Sequence, residues 1–148
     1  MKKADTLYNL IWMSRPLMQA AEACVERNLA GSDLTVRMRA VLEILHVHGD
    51  LTVPDIAARL DIKRQYVQLM VNETVASGLA TQRANPRHKR STLISLSDAG
   101  RALIADVVGR ERALMEEIAQ DYSKDDLATA LAIVQSVTSR LKATGNTS

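Results

Sequence analysis

Two short helical stretches joined by a tight turn constrain this chain more than any other feature. Residues 52–60 read T-V-P-D-I-A-A-R-L, residues 61–63 read D-I-K, and residues 64–78 read R-Q-Y-V-Q-L-M-V-N-E-T-V-A-S-G. Thr52 is a helix cap, Pro54 suits a first helical position, and Gly78 stops the second helix. Ile56, Ala57 and Leu60 face inward from the first helix, and Val67, Met70, Val71 and Thr74 from the second. This spacing predicts a helix-turn-helix, with the second helix over about 63–77. Its outer face carries Lys63, Arg64, Gln65, Tyr66, Gln68 and Asn72. Arginine suits guanine edges, glutamine and asparagine suit adenine, and lysine and tyrosine suit phosphate. Thr52, capping the first helix beside this face, joins the candidate set. A solvated polar face on any helical bundle would look the same, so the next segment decides.

Arg83 to Arg90 reads R-A-N-P-R-H-K-R, and no Asp or Glu occurs between Glu73 and Asp98. Asn85-Pro86 marks a turn, and Leu79–Arg83 and Thr92–Leu96 read as strands on either side. From Arg59 to Arg90 there are seven bases against two acids; from Asp98 onward, eight acids against six bases. The overall net charge of +2 hides this concentration. A helix-turn-helix followed by a basic hairpin is a winged helix. Its second helix enters a major groove, and Arg87, Lys89 and Arg90 of the wing, about 80–96, reach an adjacent minor groove. His88 would add charge there at low pH.

The flanking segments are helical. Asp5 to Ala30 keeps an apolar spacing of three to four, with a break or kink expected near Ser14–Pro16. Thr35 caps a helix reaching about His48. Ser97 or Asp98 caps one reaching about Asp121, and Ser123 opens a last one over Lys124–Ala143, followed by the polar tail Thr144–Ser148. The first and last two helices have more apolar face than a winged helix over 35–97 can cover, which predicts an isologous homodimer. An intramolecular bundle of those three helices is the alternative. The expected fold is mainly α with a small β-hairpin wing: a single domain over 1–148, with a winged helix-turn-helix core at 35–97 and dimerisation helices at 1–34 and 98–143.

Composition is that of a soluble globular chain, 47% hydrophobic and 24% charged. No apolar run approaches membrane-spanning length and no signal segment opens the chain, so a cytoplasmic location is expected. There is no Gly-rich phosphate loop, nucleophile elbow or H-E-x-x-H, so neither catalysis nor a cofactor is expected. His46 and His48 are two apart and diverge on a helix, with no metal-ligand set near them. Cys24, the single cysteine, lies on an apolar stripe and reads as core; a thiol-based redox sensor is the competing reading. Trp12, Met13, Met18 and His46 mark a candidate effector pocket, although an apolar seam is more often plain core. A winged helix serving only as a protein-interaction module is a further alternative, disfavoured by the polar 63–72 face.

The ordered series L-T-V-R-M-R-A-V-L-E-I-L, L-T-V-P-D-I-A-A-R-L, V-A-S-G-L-A, N-P-R-H-K-R-S and L-I-S-L-S-D-A-G-R resembles the MarR family of bacterial transcription regulators across nearly the whole chain. The resemblance implies a homodimeric repressor on a near-palindromic double-stranded DNA operator, relieved by a small anionic aromatic ligand or by oxidation. It puts the recognition helix on Lys63–Ser77 and the wing on Ala80–Leu96. Two positions depart from the family pattern. His88 stands where an aspartate usually precedes the wing arginine, here Arg90, so that pairing cannot form in the same way. Lys63 stands where a small capping residue is usual.

Overall fold

Among the described residues, nine elements follow in order: α1 (Lys3–Leu29), α2 (Val36–His48), β1 (Leu51–Thr52), α3 (Val53–Leu60), α4 (Arg64–Ala76), β2 (Ala80–Asn85), β3 (His88–Leu96), α5 (Asp98–Ala119) and α6 (Lys124–Gly145). The computed structural model describes residues 1–145, apart from the Lys89 side chain. The last residues of the expected polar tail, 146–148, lie outside the described residues. The fold is mainly helical with a small antiparallel sheet, and no helix among the described residues is long and apolar enough to cross a membrane.

The elements start where side chains can close them. Thr35 Oγ1 accepts from Met38 N at 3.2 Å to open α2, and Thr52 Oγ1 accepts from Asp55 N at 3.2 Å to open α3. Asp61 ends α3 in the left-handed region at φ 54°, a conformation that aspartate tolerates better than most residues. That single residue turns the chain from α3 into α4. Gly78, at φ 75°, makes the equivalent turn from α4 into β2.

The sheet has the order β1-β3-β2. β3 pairs with β2 from Ala80↔Leu96 to Asn85↔His88, with an irregularity at Ala84/Asn85. β1 pairs with β3 through Leu51↔Ile94 and Thr52↔Leu93. This third strand is absent from the sequence reading because two residues carry no alternation to detect. Conversely, the expected break at Pro16 does not occur: α1 runs through it. Proline removes one backbone bond, to the Trp12 carbonyl, and on an exposed helix water can satisfy that oxygen.

The chain divides into two compact units, Met1–Gly109 and Arg110–Ser148. In the first, Val41, Leu45, Ile56, Val67, Val71 and Ile94 form a core joining α2, α3, α4 and the sheet. A second cluster, with Leu29, Met38, Leu42, Ile104 and Val107, joins the end of α1 to α2 and the first half of α5. Ser97 fastens α5 to the α4–β2 turn: its hydroxyl donates to the Gly78 carbonyl at 2.7 Å and accepts from Gly100 N at 3.0 Å. A Cβ on Gly100 would collide with the Leu79 carbonyl, so this crossing requires glycine. In the second unit, α6 buries no residue and leaves Leu127, Leu131, Val134 and Leu141 exposed.

Candidate nucleic-acid interface

The buried set on α4 decides what its other face can be. Val67, Met70, Val71 and Thr74 are all buried, with the Thr74 hydroxyl donating to the Met70 carbonyl at 2.7 Å. With 3.6 residues per turn, Gln65, Gln68, Leu69 and Asn72 then point outward, and Arg64 and Tyr66 flank them. All six are exposed. Gln68 Nε2 donates to Asn72 Oδ1 at 2.8 Å, so the two amides present a joined edge. Lys63 sits at the helix cap without a side-chain cap bond, which leaves the first-turn N–H groups open beside two cations.

Glu73 is the acid on this helix, and it is engaged. Arg37 of α2 donates to it from Nε and from a terminal nitrogen, both at 3.3 Å. Hydrogen bonding to Glu73, then its charge, then Tyr66, raise the Arg37 guanidinium above its ordinary range. The Glu73 charge is thereby matched along α4's edge. Among the described residues, Arg64, Arg87 and Arg90 have no acid within ion-pair distance.

The wing is held by polar bonds. At its tip, Asn85 Oδ1 accepts from Arg87 N at 3.0 Å, and Asn85 Nδ2 donates to Ser91 Oγ at 2.9 Å. Ser91 in turn donates to the His88 carbonyl at 3.3 Å. At its root, Arg83 forms an ion pair with Asp50, in the loop after α2, and donates to Ser95 Oγ at 3.4 Å. The bond from Arg83 is the main cause that holds the Asp50 carboxyl below its ordinary range; burial opposes it, and Ser95, Arg83's charge and Arg101 assist. Arg83, the first base of the basic stretch, is therefore a structural cation. Arg87 and Arg90 remain exposed at the tip and on β3, while the side chain of Lys89, also expected here, lies outside those described.

The other expected residues are scattered. Thr52 caps α3 with its hydroxyl and is half-buried. Trp12, Met13 and Met18 are exposed on α1, and His46 is exposed on α2. Trp12 meets Tyr8 edge-on at 5.9 Å, and the Arg15 guanidinium lies 5.6 Å from its ring. A groove of about 310 Å³ lined by Ala40, Glu43, Ile44, Val47, His48 and Leu60 includes none of those four. Cys24 is a half-buried free thiol. Arg37, Asp50 and Leu69 escaped the sequence reading; only Leu69 had a local signal, its helical phase.

A helix-turn-helix followed by an extended basic hairpin, which pairs with the short strand ahead of it, defines a winged-helix protein. Residues 32–91 match the sequence profile of the MarR family. A Mycobacterium tuberculosis protein described as uncharacterized is 41% identical over 70 residues, covering 46% of this chain and 49% of that one. The chain thus matches about half the length of those relatives. The HTH-type transcriptional repressor MdtR of Bacillus subtilis is 27% identical over 134 residues, covering 90% and 86% of the two chains. Among solved structures, a MarR family transcription regulator superposes with a TM-score of 0.89 at 29% identity, covering 99% and 97%. MepR of S. aureus, solved with DNA, shares the fold with a TM-score of 0.78 at 19% identity, covering 88% and 96%.

Proposed function

We propose that this protein is a homodimeric transcription regulator that binds double-stranded DNA sequence-specifically and acts as a repressor released by a small molecule. The observation that carries this reading is the pairing of two exposed elements on one core. One is the polar face of α4, with Arg64, Gln65, Tyr66, Gln68 and Asn72; the other is a hairpin with exposed Arg87 and Arg90. Amides and a guanidinium on a helix match base edges in a major groove, and cations on a narrow hairpin match a minor groove. Lys63, Thr52 and Lys89 take phosphates in this scheme. The similarity to a Bacillus subtilis repressor supports repression.

The second copy is supported by unpartnered apolar surface. On α1, Leu7, Leu10, Leu17 and Met18 are exposed, and α6 exposes Leu127, Leu131, Val134 and Leu141. Residues 1–34 and 98–143 are the proposed dimerisation segments, and two-fold symmetry puts half-sites about 10 bp apart. For the effector, the Arg15 guanidinium beside the Trp12 ring supports a small anionic aromatic ligand near Trp12, Met13, Met18 and His46.

Fluorescence anisotropy on duplexes selected from a random pool, repeated across a salt series, tests the central reading. If roughly eight phosphates are neutralised per dimer, log K falls with log salt at a slope near −7. Operator affinity unchanged in both Arg64→Ala and Arg90→Ala would refute the DNA-reading assignment.

A further inference from the structure

We infer that Leu69 is a base-reading residue that recognises the C5-methyl group of a thymine in each half-site. The inference rests on the DNA-binding reading above and names one chemical feature of the sequence that α4 selects.

A single exposed leucine ordinarily needs no explanation. Leu69 differs in where it stands. It is 65% exposed, whereas the residues that follow it, Met70 and Val71, are 3% and 0% exposed. Gln65, Leu69 and Asn72 are spaced i, i+4, i+7 and so share one line along α4, opposite the buried line of Val67, Met70, Val71 and Thr74. A helix lying in a groove with Gln65 and Asn72 against base edges must also press Leu69 against the base edge between them. Leucine neither donates nor accepts a hydrogen bond. The thymine methyl is the apolar feature that a major groove offers, whereas guanine, cytosine and adenine edges there would lose water against leucine without gaining a partner.

The surroundings keep this contact apolar. Glu73, the nearest acid on the helix, is engaged by Arg37, and Tyr66 lies on the same side, so a shallow groove of about 360 Å³ borders Leu69. The hydrogen bond from the Gln68 amide to the Asn72 amide holds the opposite flank. Leu69 is thus a lone apolar position between two polar edges whose orientation is already set.

The test uses full-length protein. A pool of random duplexes is selected in parallel with wild type and Leu69→Ala, and the best wild-type duplex is then made with single dT-to-dU replacements, which delete one methyl each. Wild type should select thymine at one position per half-site, and dU there should weaken binding roughly fourfold, or about 15-fold with both half-sites replaced, the worth of burying one methyl group at each. In Leu69→Ala the same replacement should have no effect, and Leu69→Met should restore sensitivity. Because Leu69 is exposed, neither variant threatens the fold. Tight binding by wild type with no dU-sensitive position, or an equal dU loss in wild type and Leu69→Ala, overturns the role of Leu69 and leaves the DNA reading standing. Failure of wild type to retain any duplex at low salt overturns both.

Discussion

Helix α4 and the wing both present cationic side chains to solvent but are held in different ways. α4 rests on a buried apolar line, with Val67, Val71 and Thr74 fully inaccessible and Met70 nearly so. Among the described residues, the wing beyond Arg83 has no buried residue until Ile94 on β3, and beside its strand ladder its side-chain support comes from Asn85, Ser91 and the Arg83–Asp50 pair. Apolar burial is strong, insensitive to salt and common to the whole domain. Exposed polar links are weak and local, and they yield to salt and acid. A rigid helix suits reading base edges, where misplacement is costly. A hairpin held by its strand ladder and a few polar links suits a minor groove whose width varies.

Breaking the helix side should have the largest effect. Met70→Ala removes a buried side chain beneath α4 and is expected to cost about 2–5 kcal/mol of stability in thermal unfolding. Next come the residues proposed to read DNA. Arg64→Ala and Gln65→Ala should leave the melting curve unchanged while costing about 1–3 kcal/mol of operator affinity and relaxing base preference at one position, read by parallel selection. On the wing side, Asp50→Asn frees Arg83 and should cost only about 0.2–1 kcal/mol of stability in thermal unfolding, since both partners are over a third exposed. If Asp50→Asn instead matched Met70→Ala in unfolding, the contrast between the two regions would be wrong.

The smallest effect is the pH dependence of the root. The folded Asp50 carboxyl titrates below its ordinary value, so the link contributes fully above that ordinary value and is lost as pH falls through the lowered one. Hydrogen exchange at the wing amides should therefore show a full, pH-independent contribution from this pair between about pH 6 and 8, and loosening only in acid, below about pH 4. Any change of operator affinity between about pH 5.5 and 8 must come from elsewhere. Its disappearance in His88→Ala would assign it to the wing histidine.

Much of this architecture was legible from neighbours a few residues apart. The caps at Thr35, Thr52 and Ser97, the turns at Asp61 and Gly78, and the inward set on α3 and α4 all follow from local patterns. β1 was not, because its two residues become a strand only when β3 arrives beside them. Nor was the passage of α1 through Pro16, where an exposed helix bears the loss of one bond.

The arginines show where the sequence stops. Sequence alone determined that residues 83–90 form a basic hairpin and that α4 carries a polar face, since both depend on residue type and periodicity. It could not say which cations remain available. Arg83 meets Asp50 across 33 positions, and Arg37 meets Glu73 across 36. Those pairs exist because β2 lies in register along the sheet and α4 packs against α2, and charge pairing at a few ångströms is decided by tertiary proximity. Folding thus engages Arg83 with Asp50 at the root of the wing and leaves Arg64, Arg87 and Arg90 exposed, with no acid within ion-pair distance among the described residues.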